Sequence, residues 1–331
     1  MSKKLLTATI LAAAFAAISL SSCTKYKDEK RASNTTTSGS VVMACDESFR
    51  RIMEQEIEVF EFQYPEASIL ARYIPEDECI DSLLKSSNTR LAVTTRQLTK
   101  DELAALKLRR RIARSTRIAV DAIALIANPA NPIEEISTSD LGKILSGEIT
   151  EWKWVEPGNK SGKINIVFDY EGSSTVNYMV DSIMHGRKFG SNVYAQNDNS
   201  KVFEAVTKMK GALGIIGVSW VSSDLSKASL TTEELARSLE VNDTTQITFD
   251  PNVKVLAVAG PESVKGVKPY QAYIFDGSYP LYRSIYLTST GGGGTLAGGF
   301  YSFVTGFAGQ KLIQQTGVLP GSIHPRMVQI E

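Results

Sequence analysis

Residues 40–94 read SVVMACDESFRRIMEQEIEVFEFQYPEASILARYIPEDECIDSLLKSSNTRLAVT, and the fold class is predicted from the order of apolar runs within them. Three short apolar runs that predict strands are separated by two segments with helical periodicity, in the order 40–44, 48–62, 68–74, 77–85 and 90–94. Strand, helix, strand, helix, strand is the pattern of a parallel sheet with crossover helices. The stretch therefore predicts an α/β fold.

The same alternation continues through the rest of the chain. Further strands are predicted at 117–127 (RIAVDAIALIA), 163–168, 213–218, 253–258 and 281–287, and further helices at 139–145, 173–184, 202–208 and 298–314. Two sheets of alternating strands and helices imply two lobes, each with a mainly parallel sheet flanked by helices. We assign residues 40–120 and 283–331 to lobe 1 and residues 121–282 to lobe 2, with crossing strands at 119–127 and 281–287 as the hinge.

The N-terminus predicts secretion and lipid attachment. Lys3 and Lys4 precede an apolar run at 5–20 and then small residues before Cys23, so residues 1–22 read as a lipoprotein signal peptide too short to span a bilayer permanently. Cleavage would expose Cys23 for lipidation, and residues 23–39 are a polar, flexible tether. We therefore expect an extracytoplasmic, membrane-anchored lipoprotein, in the periplasm or at the cell surface. The alternative is an ordinary cleaved signal with an incidental cysteine.

Composition narrows the partners. The chain has 36 Lys plus Arg and 36 Asp plus Glu, so its formal net charge is zero. It therefore has no net positive charge that would favour binding to nucleic acid. The remaining cysteines, Cys45 and Cys79, either form a disulfide or are two separate thiols. Neither His185 nor His324 has metal-ligand spacing with them, so we expect no metal and no cofactor.

Three strand-to-helix turns share one chemical character. They are residues 44–49 (ACDESF), 94–96 (TTR) and 169–175 (DYEGSST), and ligands of α/β sheets bind at such turns. Each turn places hydroxyl groups beside the free N–H groups of a helix start, where small anions bind. Arg96 adds a fixed positive charge. Any one turn alone is explained by helix capping, but three together predict a cleft for an oxyanion.

Specific motifs carry a family resemblance. The runs ALIANPANP at 124–132, SDLGKILSGEITEW at 139–152 and GSST at 172–175 resemble those of PstS-like phosphate-binding proteins of ABC transporters, which are type II periplasmic substrate-binding proteins. The resemblance implies a monomeric two-lobed protein, not an enzyme, that closes around phosphate or a related oxyanion and delivers it to an ABC permease.

The resemblance also implies a set of ligand contacts. By position, the residues expected to contact the anion are Ser48, Thr95, Arg96, Ser173, Ser174 and Thr175. Asp46, Glu47 and Asp169 lie in the same turns, with roles left open. Asp169 stands where the family commonly has an arginine, and Ser174 replaces a glycine. From this reversal we draw the hypothesis that Asp169 and Arg96 form an ion pair across the cleft.

The acidic residues in the turns favour phosphate over sulfate. Phosphate keeps a proton at neutral pH, and a carboxylate can accept its hydrogen bond, whereas sulfate has no proton to donate. The alternative is that these acidic side chains face water. An enzyme is disfavoured because neither histidine has a catalytic context with Ser173 or Ser174. The remaining alternative is a PstS-like surface lipoprotein that acts as a sensor, adhesin or scaffold without transport.

Overall fold

A central sheet of ten strands organises the protein in the computed structural model, which describes residues 34–196, 198–223, 231–238 and 248–322. The strands are β1 (Gly39–Asp46), β2 (Ala67–Ile74), β3 (Thr89–Thr94), β4 (Arg114–Ala127), β5 (Glu135–Ser137), β6 (Asn165–Phe168), β7 (Val193–Ala195), β8 (Ala212–Gly217), β9 (Ser222–Ser223), β10 (Thr248–Phe249), β11 (Lys254–Val255), β12 (Ala257–Ala259), β13 (Tyr282–Ser289) and β14 (Leu319–Pro320). The sheet order is β2-β1-β3-β13-β4-β8-β6-β7, and β11 and β14 also pair with β4. Two small sheets, β9 with β10 and β5 with β12, complete the strands described.

Helices cover this sheet. They are α1 (Arg50–Gln63), α2 (Glu76–Lys85), α3 (Lys100–Leu108), α4 (Thr138–Ser146), α5 (Ser174–Tyr178), α6 (Asn199–Lys208), α7 (Val218–Val221), α8 (Thr232–Ser238), α9 (Gln271–Phe275), α10 (Leu296–Thr305) and α11 (Phe307–Gln315). Short 3₁₀ turns lie at Glu47–Phe49 and Trp152–Trp154, and a π-helical turn at Met179–Ile183 continues α5. No helix among the described residues has the length and apolar content needed to cross a membrane.

Two parallel halves share the central sheet. In the first half β1 pairs in parallel with β2 and β3, and in the second half β6 pairs in parallel with β7 and β8. The antiparallel strands β4 and β13 lie between the halves and pair with each other. The predicted α/β fold, with mainly parallel halves joined by crossing strands, is confirmed. The lobe boundaries at residues 120 and 283 stay predictions.

Several element boundaries differ from those predicted. The helix predicted at 298–314 is two helices, because Gly306 between α10 and α11 is extended. A Cβ at Gly306 would lie 2.8 Å from the carbonyl oxygen of Ser302, so only glycine fits there without displacement. The strand predicted at 253–258 is the two short strands β11 and β12. The signal peptide, Cys23 and His324 lie outside the described residues.

Cys45 and Cys79 are free, buried thiols in the structure, so the disulfide alternative is not the one formed. The Cys45 thiol donates to its neighbouring carbonyl at Asp46, with 3.2 Å between the atoms, and the Cys79 thiol points to the carbonyl of Ile74 at 3.6 Å. The two thiols thus contact different backbone carbonyls, one at the end of β1 and one at the end of β2.

Glu56 on α1 is a buried carboxyl group without a hydrogen-bond partner. Its side chain is inaccessible to solvent, and neither carboxyl oxygen has a partner among the described residues. Burial raises the pKa of Glu56 well above its usual value. The folded protein therefore favours the protonated form of this group more strongly than the unfolded chain does.

We expect Glu56→Met to stabilise the fold at neutral pH by about 1–3 kcal/mol, since it removes an unsatisfied buried polar group. Because the folded pKa is raised, the favourable contribution of protonated Glu56 is complete below the unfolded pKa, about 4.3, and is lost as pH rises toward the folded pKa. The gain should therefore be larger at pH 8 than at pH 5. Urea denaturation at both values measures it.

The matched control is Glu204→Met, at an exposed position of α6. Its free energy of unfolding should stay within about 0.5 kcal/mol of the wild type. A Glu56→Met gain that is absent, or equal at the two pH values, would contradict an ionisable group held in the core.

Candidate functional site

The turns that follow β1 and β6 meet at one buried point. The Ser48 hydroxyl donates to Asp169 Oδ2 with 2.9 Å between the oxygens, and Ser48 Oγ lies 3.3 Å from Thr175 Oγ1. All three side chains are inaccessible to solvent. Ser48 lies in the first half of the sheet and Asp169 in the second, so this contact joins the two halves.

Asp46 links the starts of two helical segments. Its Oδ1 accepts from the backbone N–H of Ser48 at 2.9 Å, and its Oδ2 accepts from the backbone N–H of Ser174 at 3.0 Å. The N–H groups of a helix's first turn have no partner within the helix and attract negative charge. A carboxylate of the protein thus accepts from the N–H groups on which an oxyanion would rely.

Asp169 accepts hydrogen bonds from two hydroxyl groups, one at each of its carboxylate oxygens. Its Oδ1 accepts from the Ser173 hydroxyl at 2.6 Å, and its Oδ2 accepts from Ser48. Burial raises the pKa of Asp169, while the hydrogen bond from Ser173 opposes the rise and the nearby charge of Asp46 adds to it. Asp169 is thus a buried carboxyl group suited to sharing a proton.

Arg283 supplies the positive charge of the buried cluster, which consists of Asp46, Ser48, Asp169, Ser173, Ser174 and Thr175. It reaches this cluster from the crossing strands. It lies on β13 directly opposite Asp121 of β4, and its Nη2 is 3.0 Å from Asp121 Oδ2. Its Nη1 donates to Ser174 Oγ at 2.7 Å and to Thr175 Oγ1 at 3.0 Å. Among the described residues it is the one buried arginine or lysine. Burial raises the pKa of Asp121, and Arg283 opposes that rise.

The contacts of Arg283 orient the hydroxyl groups around it. Ser174 and Thr175 accept a hydrogen bond from the guanidinium, and a hydroxyl that accepts one bond still has its own hydrogen to donate. These hydroxyl hydrogens, the N–H groups at the start of α5 and one guanidinium form a set of donors suited to an oxyanion.

Glu47 forms a second acidic contact between the halves. The side-chain amide of Asn199, at the start of α6, donates to Glu47 Oε2, and Arg50 Nε donates to Oε1 at 3.2 Å. Burial raises the pKa of Glu47 to about 7, against the opposing hydrogen bond from Asn199.

Among the described residues, no group of three or more His, Cys, Asp or Glu side chains is arranged to hold a metal ion.

The structure does not bring Arg96 to this cluster, and the hypothesis of an Arg96–Asp169 ion pair is wrong. Arg96 donates through both terminal nitrogens to Glu102 of α3, at 2.9 Å each. Glu102 also accepts from the backbone N–H of Thr99, which holds it next to Arg96. The hydrogen bond from Arg96 is the main cause that lowers the pKa of Glu102 to about 2.

Thr95 lies at the edge of the cluster. Its backbone N–H and hydroxyl both donate to Glu76 Oε1, the hydroxyl at 2.6 Å. Burial raises the pKa of Glu76, with a further rise from Asp46 and an opposing effect from Arg283. Within the described ranges, Thr95 is therefore bound to Glu76 and forms no hydrogen bond with Ser48, Ser174 or Thr175.

Sequence reasoning missed four residues of this arrangement: Glu76, Asp121, Asn199 and Arg283. One of them has a signal in the sequence, since Asp121 is the single acid within the apolar run of β4, and a buried acid requires a partner.

Comparisons with known proteins agree with this architecture. Residues 30–306 match the family described as the PBP superfamily domain. The phosphate-binding protein PstS of Borreliella burgdorferi is 28% identical over 146 residues, which cover 42% of this chain and 49% of that protein. The PstS of Bacillus subtilis is 24% identical over 205 residues, covering 62% and 56% respectively. The chain thus spans about half the length of these relatives.

Solved structures share the fold at low identity. A putative phosphate ABC transporter substrate-binding protein with bound phosphate from Clostridium perfringens matches with a TM-score of 0.65 and 22% identity, over 85% of this chain and 99% of its own. An ABC-type phosphate transport receptor from Vibrio cholerae matches with a TM-score of 0.58 and 22% identity, over 85% and 100%. Because the family match extends over most of its length, the chain belongs to the PBP superfamily, with PstS phosphate-binding proteins among its homologues.

Proposed function

We propose that this chain is a substrate-binding protein that captures phosphate between the two halves of its sheet and delivers it to an ABC permease. One observation carries the proposal: the buried guanidinium of Arg283 donates to Ser174 and Thr175 of the second half, and Thr175 in turn contacts Ser48 of the first half. The names of the PstS relatives support phosphate as the anion.

The acids of the cluster favour a ligand that carries protons. Asp46 and Asp169 are wholly buried, and each carboxylate has lone pairs beyond those already used by Ser48, Ser173 and Ser174. A protonated phosphate can donate to such a carboxylate, whereas sulfate would bring unprotonated oxygens against it. This charge pattern supports phosphate over sulfate.

Capture requires the two halves to part and close again. The bonds from Ser48 to Asp169 and from Ser174 to Asp46 cross between the halves, so opening would break both and release a hydroxyl and an N–H group. Rotation about the crossing strands β4 and β13 is the motion we propose. The anion would then accept from the released donors, and closure would exclude water and strengthen each charge-assisted bond.

Anchoring completes the proposed role. A lipid on Cys23, with the polar residues that follow it up to 33 as a tether, would hold a monomeric domain near its permease outside the cytoplasm and raise its effective concentration there. The assignment of residues 121–282 to a second lobe belongs to the same proposal.

Calorimetry of the full chain with phosphate, sulfate and molybdate tests this function. We expect phosphate to bind and to raise the melting temperature, because it binds only the folded state. Thr175→Val should weaken phosphate binding by about tenfold or more, since it removes a hydrogen bond to a charged ligand.

The matched control is Thr207→Val, whose hydroxyl lies on the exposed surface of α6. Its phosphate affinity should equal that of the wild type. If none of the three anions binds the wild-type chain, the proposal fails, and the role of a surface sensor, adhesin or scaffold becomes the better explanation.

A further inference from the structure

A loop at the end of α3 combines arginines with exposed apolar side chains. Residues 108–112 read LRRRI, and we call them the arginine loop. Leu108 is 87% exposed and Ile112 is 82% exposed, although neighbouring Leu106 is buried. Residues 103–120 contain six Lys or Arg and no Asp or Glu. The loop is therefore both strongly basic and apolar at its surface.

The arginine charges in this region are not neutralised by acids. Arg90, Arg109, Arg110 and Arg111 line a cavity of about 420 Å³ together with Ser87. Within the described part of the chain, none of these four arginines forms a salt bridge with a carboxylate. Arg109 donates instead to the carbonyl of Lys85 at 2.9 Å, and Arg111 to several backbone carbonyls. The region can therefore accept anionic groups from outside the protein.

Several positive charges lie close together around Arg111. Burial, and then the charges of Arg90 and Arg109, lower the pKa of Arg111. The three guanidinium groups therefore repel one another, and an external anion placed among them would relieve that repulsion.

The chain enters the fold at this same end. Asn34, the first residue described, lines a neighbouring cavity of about 670 Å³ that also includes Ser87 and Arg90. Its side-chain oxygen accepts from the backbone N–H of Leu296 at 2.9 Å, which fixes the entry point. The segment 23–33, at about 3.5 Å per residue, reaches at most about 40 Å. A lipid on Cys23 would keep this end of the domain within about 40 Å of the bilayer.

The candidate anion site lies at the opposite end of the same strands. β1 starts beside the cavity at Ser40 and ends at Asp46, and β3 starts beside Arg90 and ends at Thr94. An eight-residue strand spans about 26 Å, so the arginine loop and the anion site are separated by roughly that length.

We propose that the arginine loop rests on the anionic lipid headgroups of the membrane that holds the chain, with Leu108 and Ile112 entering the headgroup layer. Cations that neutralise anionic lipids, flanked by apolar side chains, are the chemistry of interfacial membrane contact. The inference rests on the proposed lipid anchor but not on the anion ligand. In this orientation the anion site faces away from the bilayer.

A fluorescent probe at the loop tests this contact. In the full chain, Ile112→Cys is labelled with an environment-sensitive maleimide and reconstituted into vesicles of phosphatidylglycerol or of phosphatidylcholine alone. Cys45 and Cys79 are inaccessible to solvent and should not react. We expect a blue shift and at least about a twofold rise in emission in the phosphatidylglycerol vesicles, weakened by added salt. Mass spectrometry reports whether Cys23 carries a lipid.

Two variants make the result specific. Tyr194→Cys on β7, whose native side chain is 49% exposed, is the matched label control and should keep the emission of a probe in water. Arg109→Gln combined with Arg110→Gln should reduce the shift at position 112 and leave phosphate affinity unchanged.

Other outcomes overturn the inference. An unchanged probe at position 112, equal shifts at 112 and 194, or a shift that appears only when a permease is added would each contradict a membrane contact. Phosphate calorimetry on the same chain is independent, so failure of the proposed anion binding would be seen separately from failure of the loop contact.

Discussion

Replacing Arg283 by methionine is expected to abolish measurable phosphate binding and to lower the free energy of unfolding by about 3–5 kcal/mol. Arg283 is 5% exposed, and its guanidinium contacts Asp121, Ser174 and Thr175 together. Its loss leaves the carboxylate of Asp121 buried without a counter-charge, and it removes the one cation of the cluster. Calorimetry and urea denaturation of the same preparation measure the two effects.

A double variant separates the two roles of Arg283. Asp121→Leu combined with Arg283→Met replaces the buried ion pair by apolar groups, which is often neutral or stabilising, so stability should recover. Phosphate binding should not recover, because no cation is restored. Arg96→Ala is the matched arginine control, since Arg96 is bound to Glu102, and its phosphate affinity should stay close to that of the wild type. If Arg283→Met bound phosphate with wild-type affinity, the proposed anion site would be wrong.

Replacing Asp169 by asparagine is expected to remove most of the discrimination between phosphate and sulfate. Sites that pair a ligand hydroxyl reject analogues without one by factors on the order of 10⁴, and we expect such a ratio for the wild type. Asparagine keeps the shape of Asp169 and one acceptor for Ser48 or Ser173, but its NH₂ group can only donate. Phosphate should bind about 10²–10³-fold more weakly, and sulfate as well as before or better.

Competition calorimetry with both anions measures this ratio. Asp276→Asn, at an exposed aspartate after α9, is the matched control and should leave the ratio unchanged. The same substitution at Asp46 tests the other buried acceptor of the cluster. If sulfate and phosphate bind the wild type equally, or if the ratio survives in both Asp46→Asn and Asp169→Asn, a proton-accepting carboxylate is not the basis of selectivity.

Much of the fold followed from local pattern. The periodicity of residues 40–94 predicted β1, β2 and β3 with the helices α1 and α2 between them, because each element carries its own apolar repeat. Helix α3 was missed, although Thr99 and Glu102 form the capping box that marks a helix start. The split at Gly306 depends on close packing of the chain on itself, which no local pattern contains.

The candidate site was predictable only where the donors lie in helix-starting turns. Those turns identified Asp46, Ser48 and the segment 169–175, and the structure brings them together. The cation was assigned to Arg96 because it follows a strand directly. Arg283 instead reaches the cluster through the antiparallel pairing of β13 with β4, over 162 residues of sequence from Asp121, and single-sequence reasoning does not give such a register.

The crossing strand β4 has a mechanical consequence for the whole molecule. It hydrogen-bonds to β13 on one side and to β8 on the other, so the backbone ladder is unbroken from the first half of the sheet to the second. A force or fluctuation that peels one half away must disrupt the ladder that supports the other. The protein should therefore melt in one cooperative step, and an anion seated between the halves should protect the amides of both from hydrogen exchange alike.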